Sequence, residues 1–131
     1  MELKLTKSCE YALRIVIHLG GTTSVLTNSD LSESLSIPYH NLTKLIQQLS
    51  KSGIIHTQKG KYGGNLLKRD WADLSLKDVV EVIDGPTELS QCLQNESFCQ
   101  LDDGCKLKTS FSEVQFKINA LLDDVKLASL V

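Results

Sequence analysis

The sequence predicts a mainly α-helical fold with one small β-hairpin and a long C-terminal helix. Three observations lead to this prediction. Apolar residues recur at helical spacing in five segments, two short apolar runs flank a glycine-rich turn at residues 59–64, and the last segment repeats its apolar residues in a heptad-like order. The 131 residues suit one domain, or one domain with an appended segment, and a chain of this length can fold without disulfides.

Five helices are expected, and local signals define their ends. The predicted ranges are 6–20, 28–35, 38–52, 76–83 and 106–123. Thr6 can cap the first helix, and Thr27 or Asn28 can cap the second. Pro38 suits the first position of the third helix, where its missing N–H would have no partner, and Gly53 closes that helix. A strand at 54–57 and a returning strand at 65–67 complete the predicted hairpin.

The charge is distributed unevenly along the chain. Residues up to Arg69 include nine Lys or Arg and four Asp or Glu, a net of +5, whereas residues from Asp70 onward include five and twelve, a net of −7; the two add to −2. A basic half suggests an anionic partner, most commonly nucleic acid, although chance segregation of surface charge gives the same imbalance. Because neither an 18-residue apolar run nor a secretory signal is present, we expect no membrane contact and a cytoplasmic location.

The third predicted helix has two distinct faces. Its apolar stripe consists of Leu42, Leu45, Ile46 and Leu49. The opposite face carries His40, Thr43, Lys44 and Gln47, which offer hydrogen-bond donors and acceptors but no acid. A short helix, a tight turn and such a helix make up a helix-turn-helix, whose second helix can read bases in the major groove. An ordinary amphipathic surface helix would have the same pattern.

The hairpin that follows fits the role of a wing. Its turn contains Lys59, Lys61 and three glycines. Glycines allow the backbone to approach phosphates or a minor groove, and lysines neutralise phosphate charge. The helix-turn-helix and the hairpin together therefore predict a winged DNA-binding domain.

Three cysteines lie close together in a polar segment. Cys92, Cys99 and Cys105 have the spacing C-x6-C-x5-C. Thiolates bind iron and zinc well, so this segment could surround one metal centre with a fourth ligand from elsewhere. Three free thiols are the alternative. Cys9 lies among apolar residues of the first helix and reads as a buried free cysteine.

The sequence resembles the Rrf-type winged-helix transcription regulators over almost its full length. The matching residues are Leu5-Thr6, Glu10-Tyr11-Ala12-Leu13-Arg14, Ile37-Pro38-Tyr39, Leu49-Ser50-Lys51-Ser52-Gly53-Ile54-Ile55, Lys59-Gly60-Lys61-Tyr62-Gly63-Gly64, Leu76-Lys77-Asp78-Val79-Val80 and the three cysteines. The stretches Phe98-Cys99-Gln100-Leu101 and Cys105-Lys106-Leu107-Lys108 look most like the nitric-oxide-responsive, NsrR-like branch.

This resemblance implies a homodimer that binds a double-stranded DNA operator. It implies an iron–sulfur cluster on the three cysteines, with [4Fe–4S] favoured and [2Fe–2S] as the alternative. In the NsrR-like branch an acidic residue of the partner's first helix completes the cluster, and the matching position here is Glu10, with Cys9 as second choice. The resemblance also adds Tyr39 and Asn41 to the expected DNA contacts, beside His40, Thr43, Lys44, Gln47, Lys59 and Lys61.

Three departures from the family pattern limit which family properties can be expected of this chain. The first wing position is usually Arg, and Lys59 supplies charge here without a planar fork. The recognition helix has Asn41, Thr43 and Lys44 where IscR-like members carry Tyr, Glu and Gln, so the operator sequence does not transfer. Lys108 stands where the IscR-like branch supplies a histidine ligand, which disfavours that branch.

The last helix is expected to form the dimer contact. Leu107, Phe111, Val114, Ile118, Leu121 and Val125 repeat at spacings of 4, 3, 4, 3 and 4 residues. Packing within the chain is the alternative. We therefore divide the chain into a winged helix-turn-helix domain at 1–85, a cluster-binding loop at 86–105, and a dimerisation helix with its tail at 106–131.

The favoured function is a transcriptional repressor controlled by a cluster that senses nitric oxide or redox stress. A regulator of iron–sulfur biogenesis or of general redox state, from the same family, is the second hypothesis. A thiol carrier or redox enzyme is the third, but the sequence has no CxxC pair, no glycine-rich nucleotide loop and no Ser/His/Asp arrangement at a useful spacing. We therefore expect that the protein is not an enzyme.

Overall fold

The computed structural model describes residues 4–68, 71–86, 88 and 106–131. Its helices are α1 (Lys7–Gly20), α2 (Asn28–Leu35), α3 (Tyr39–Lys51), α4 (Leu76–Asp84) and α5 (Lys106–Asp124), and its strands are β1 (Ile55–Gln58) and β2 (Gly64–Leu67). Short 3-10 helices at Trp71–Asp73 and Leu127–Leu130, which the sequence did not predict, complete it. The predicted fold class, mostly helical with one antiparallel hairpin, is confirmed.

Side-chain caps begin the first two helices where the sequence predicts them. The Thr6 hydroxyl oxygen accepts a hydrogen bond from the Cys9 N–H at 3.1 Å. Thr27 forms a reciprocal capping box with Asp30, in which each side chain accepts from the other residue's backbone N–H at 3.1 Å. These bonds satisfy amides that the helices leave unpaired.

The turn between α2 and α3 is closed by local hydrogen bonds. Ser36 adopts a left-handed conformation with φ of 54°. The Ser32 hydroxyl donates to the Ile37 carbonyl at 2.6 Å, and the Ile37 N–H donates back to the Ser32 carbonyl at 3.1 Å. Pro38 precedes α3 rather than opening it, because its ψ of 133° is extended; the predicted start is therefore one residue early.

The hairpin pairs β1 with β2 in an antiparallel register from Ile55↔Leu67 to Gln58↔Gly64. The first strand begins one residue later than predicted, since the Ile54 N–H bonds to the Leu49 carbonyl at 3.0 Å as α3 ends. The turn is tight: a Cβ on Gly63 would lie 2.3 Å from the Gln58 carbonyl oxygen. Only glycine fits this position.

One hydrophobic core joins the helices to the end of the described chain. Its buried members are Ala12, Ile15, Val16, Leu19, Leu31, Ile37, Leu42, Leu45, Ile46, Leu49, Ile55, Val79 and Leu127. Two backbone hydrogen bonds fix Leu127 in place. The Leu127 N–H donates to the Leu74 carbonyl at 2.9 Å, and the Leu76 N–H donates to the Val125 carbonyl at 2.8 Å. The Ser75 hydroxyl, fully buried, donates to Asp123 at 3.0 Å. The C-terminal end of α5 is thereby fixed to the winged domain.

Helix α5 has no fully buried residue among those described. The six apolar residues of the predicted heptad-like repeat divide into two rows. Phe111, Ile118 and Val125 are half-buried, whereas Leu107, Val114 and Leu121 are 59%, 44% and 68% exposed. One row thus packs partly within the chain, and the other faces solvent. No helix in the described part of the chain is long and apolar enough to span a membrane.

Candidate functional site

Helix α3 presents its polar face to solvent because its apolar stripe is in the core. Leu42, Leu45, Ile46 and Leu49 are all at most 4% exposed. On the opposite side His40, Lys44 and Gln47 are exposed, as are Asn41 and Tyr39, the latter by 54%. Thr43 is half-buried, and its hydroxyl donates to the His40 carbonyl at 2.9 Å, so its oxygen is left as an acceptor. The structure brings the predicted recognition residues onto one helix.

Two further residues extend this polar face. Gln48 and Lys51 are exposed, and with Lys44 and Gln47 they line a shallow groove of about 380 Å³. Neither residue is among the DNA contacts predicted from the sequence. Their spacing of four and seven residues from Lys44 places them on the same side of an α-helix, so helical periodicity alone would have found them.

The hairpin carries its lysines at an exposed tip. Lys59 and Lys61 are both exposed. Tyr62, which the sequence analysis also did not select, is 84% exposed, and the Lys61 Nζ atom lies 5.7 Å from the centre of its ring. A large exposed aromatic ring beside a cation is suited to contacts with bases or sugars.

A groove of about 530 Å³ separates α3 from the hairpin and the start of α2. It is lined by Asn28, Thr43, Ile46, Gln47, Ser50, Lys51 and Thr57. Because Thr43 and Gln47 belong to α3 and Thr57 belongs to β1, the polar face of α3 borders the hairpin across this groove. Helix and hairpin therefore form adjoining parts of one surface.

This surface is basic over a long stretch of sequence. No Asp or Glu occurs between Glu33 and Asp70, whereas Lys44, Lys51, Lys59, Lys61, Lys68 and Arg69 fall within that interval. Ion pairs at Lys7–Glu10 and Lys77–Glu81 lie on α1 and α4, away from this surface. The lysines of α3 and of the hairpin are thus available for phosphate groups.

Glu10 lies in the first turn of α1, with its side chain 48% exposed and 3.7 Å from the Lys7 ammonium. The turn is tied to the end of α4: the Thr6 hydroxyl donates to Asp84 at 2.5 Å, and the Thr6 N–H donates to the same carboxylate at 3.3 Å. The start of α1 is therefore fixed beside the point where the chain leaves α4 toward the cysteine segment.

Cys9 is fully buried, as the sequence predicts. Burial raises the pKa of its thiol to about 11, and the carboxylates of Asp84 and Glu10 act in the same direction. A thiol that stays protonated and lacks access to solvent is a poor metal ligand. The environment of Cys9 fits a packing role.

The three predicted cluster ligands Cys92, Cys99 and Cys105 lie outside the described residues. The ligand set therefore stays a prediction, as does the role of Glu10. The same holds for the predicted DNA contacts, whose positions the structure gives but whose partner it does not contain.

Comparison with known sequences identifies the family. A family model described as "Rrf2: Iron-dependent Transcriptional regulator" matches residues 5–131. The chain belongs to the Rrf2 family. This is a family of transcriptional regulators, not of enzymes; its members bind DNA and commonly dimerise. The expected family is confirmed, whereas assignment to the NsrR-like branch stays a prediction.

Solved structures of Rrf2-like regulators have the same fold. CymR (YrzC), described as the global cysteine regulator of B. subtilis, is 20% identical with a TM-score of 0.79, and the match covers 99% of both chains. IscR of T. potens is 22% identical with a TM-score of 0.74, covering 99% of this chain and 87% of that one. CymR of Staphylococcus aureus is 20% identical with a TM-score of 0.70, covering 95% of each. These likenesses establish the winged-helix fold.

Proposed function

We propose that this Rrf2-family protein is a dimeric repressor whose operator binding is controlled by an iron–sulfur cluster that senses nitric oxide. In this proposal α3 enters the major groove, and the hairpin contacts the adjacent backbone or minor groove. Cys92, Cys99 and Cys105 hold the cluster, and Glu10 of the partner chain supplies a fourth ligand.

The observation that carries the DNA-binding part is the acid-free surface formed by α3 and the hairpin. His40, Lys44 and Gln47 project from a helix whose apolar side is anchored in the core. A rigidly held helix with exposed Lys and Gln side chains meets the requirements for base reading, and the hairpin lysines add phosphate contacts.

The exposed row on α5 supports a homodimer. Leu107, Val114 and Leu121 recur every seven residues and are each at least 44% exposed. A stripe with this period is suited to pack against a second helix of the same kind. Two copies would then present two recognition helices to the half-sites of an operator.

The donor set fits an iron–sulfur cluster. Three thiolates suit iron, and the exposed Glu10 carboxylate is accessible to a neighbouring chain. When bound, the cluster would supply iron that reacts with nitric oxide, and the carboxylate would hold its iron less firmly than a thiolate does. The chain's own contribution is positional: the Thr6–Asp84 hydrogen bonds hold the first turn of α1, and with it Glu10, against the end of α4.

The function is tested on anaerobically purified protein. A broad visible absorbance would support the cluster, and nitric oxide titrated into the protein should change that absorbance and release a duplex that the protein has selected from a random library. Loss of DNA binding with an oxidant but not with nitric oxide would instead favour the general redox regulator. Colourless, metal-free protein would contradict cluster control.

Single substitutions separate the ligands. Cys92→Ala, Cys99→Ala and Cys105→Ala should each abolish a stable cluster, because a site with three thiolates has no spare ligand. Glu10→Ala should still assemble a cluster but lose it faster in air. Glu81→Ala is the matched control, since Glu81 is also a helical acid with a lysine partner, Lys77, at 3.3 Å. Equal loss rates for parent, Glu10→Ala and Glu10→Cys would remove Glu10 from the ligand set.

A further inference from the structure

Asn65 is a fully buried polar residue in the second strand of the hairpin. An asparagine is unusual in a strand and unusual in a core, so its side chain needs hydrogen-bond partners there. It has three: its amide donates to the Leu26 carbonyl at 3.1 Å and to the Asn28 side-chain oxygen at 2.8 Å, and its oxygen accepts from the Thr57 hydroxyl at 3.0 Å. These bonds connect three separate parts of the chain.

The backbone at the same place joins the hairpin to the segment before α2. Asn65 and Leu26 exchange two hydrogen bonds, at 2.6 and 3.1 Å. The preceding Gly64 has φ of 153°, and a Cβ there would lie 2.7 Å from the Leu26 carbonyl oxygen. The turn end of the hairpin thus makes a close, two-bond contact with Leu26, while its opposite end is held by Ile55, which is buried in the core.

The Asn65 side chain adds a second attachment at the turn end, because its amide also bonds the Asn28 side chain. One of its partners, Asn28, is the first residue of α2, and another, Thr57, lies on β1. Both partners line the groove that α3 borders with Thr43 and Gln47. The amide therefore fixes the two walls of this groove relative to each other.

We propose that Asn65 is a positioning residue that sets the angle of the hairpin relative to α3. This inference rests on the proposed DNA-binding function and deepens it. With the angle fixed, Lys59 and Lys61 reach the DNA backbone while α3 lies in the major groove. Without the three side-chain bonds, the hairpin keeps its strand pairing and its backbone contact with Leu26. It is then no longer held at the angle at which Lys59 and Lys61 reach the phosphates.

The test is a double-mutant cycle between Asn65→Leu and Lys59→Ala on the full chain, kept anaerobic. The probe is a duplex that the parent protein selects from a random library, and binding is followed by fluorescence anisotropy over a range of salt concentrations. In the parent, Lys59→Ala should lower the slope of log K against log salt by about one, the value for one phosphate contact. In the Asn65→Leu background, Lys59→Ala should change the slope by less than about a quarter of that amount.

Two controls separate positioning from a general loss of structure. Lys44→Ala should weaken binding by the same factor in both backgrounds, because α3 does not depend on Asn65 for its place in the core. If Asn65→Leu fails to fold by circular dichroism, Asn28→Ala carries the cycle, since it removes the side-chain bond between the hairpin and α2. Thr57→Val, which removes only a bond between the two strands of the hairpin, should behave as the parent.

The outcomes distinguish the inference from the function on which it rests. An undiminished effect of Lys59→Ala in the Asn65→Leu protein, or in Asn28→Ala where that variant is used, would overturn the positioning role and leave the interface intact. If neither Lys44→Ala nor Lys59→Ala alters binding in the parent, the proposed DNA interface itself fails, and the positioning role fails with it.

Discussion

Helices α3 and α5 are both amphipathic, but the chain uses their apolar sides differently. Every apolar residue of the α3 stripe, from Leu42 to Leu49, is at most 4% exposed. In α5 no described residue is buried, and Leu121 remains 68% exposed. The same sequence period thus describes one helix whose apolar side is covered by its own chain and another helix whose apolar side is partly exposed.

The difference assigns opposite roles to the exposed sides of the two helices. On α3 the exposed side is polar and basic, which suits the proposed contact with DNA, and such a contact should depend on salt. On α5 the exposed row is apolar, which suits the proposed dimer contact, and such a contact should depend on burial of that row. Substitutions on each side of each helix should therefore affect different measurements.

The largest effect is expected for the buried side of α3. Leu42→Ala should lower the free energy of unfolding by about 2–5 kcal/mol, because it leaves a cavity in a closed core. Chemical denaturation followed by circular dichroism measures this change. The midpoint shift should be the same at low and high protein concentration; a shift that disappears on dilution would show that this stripe, too, is completed by a second chain.

The exposed row of α5 should respond through association. Leu121→Asp should weaken the dimer on the order of 100-fold, which corresponds to about 2.8 kcal/mol, because it buries an unpaired charge. Sedimentation equilibrium measures the constant. Phe116→Asp is the matched control: Phe116 is 74% exposed but lies on the side of α5 opposite the row. Dissociation by Phe116→Asp, with Leu121→Asp still dimeric, would move the interface to the other face.

The polar side of α3 should affect DNA binding without affecting stability. Lys44→Ala should weaken binding to the selected duplex by about 1–3 kcal/mol and change the free energy of unfolding by less than about 0.5 kcal/mol. Lys77→Ala removes one positive charge from α4 and serves as the control for a general loss of positive charge. Binding equal to that of the parent would remove α3 from the role of recognition helix.

The smallest effect is expected at Cys9. Cys9→Ala should reduce the free energy of unfolding by about 1 kcal/mol through lost packing and leave the visible absorbance of the protein unchanged. Thermal unfolding and absorbance spectra of the anaerobic protein check both statements. A colourless Cys9→Ala protein, with the cysteine-segment variants still coloured, would reverse the ligand assignment.

Features set by neighbouring residues could be predicted from the sequence. The caps at Thr6 and Thr27 depend on amides three residues away, and the α3 stripe depends on a helical repeat within the same element. The one-residue errors at Pro38 and Ile54 arose where a backbone angle or a hydrogen bond, not the residue type, decides the boundary.

Features that join distant parts of the chain could not be predicted in this way. The bond between Asn65 and Asn28 connects residues 37 positions apart, and the contact of Leu127 with the core depends on the path of α5. Periodicity also indicates which side of α5 is apolar without indicating what covers that side. It therefore could not predict that one row of the repeat would be half-buried and the other exposed. Lys51 and Tyr62 show that even the candidate interface extends beyond the residues that a motif selects.

The burial of Leu127 has a consequence for how the protein is made. Leu127 is 0% exposed in a core built otherwise from residues 12 to 79. During synthesis the helices of the winged domain leave the ribosome well before this residue does, since chains grow at roughly 5–20 residues per second. Until Leu127 has emerged, the nascent helices lack one buried side chain of their core, so this core is completed only after the segment that carries the cysteines has been synthesised.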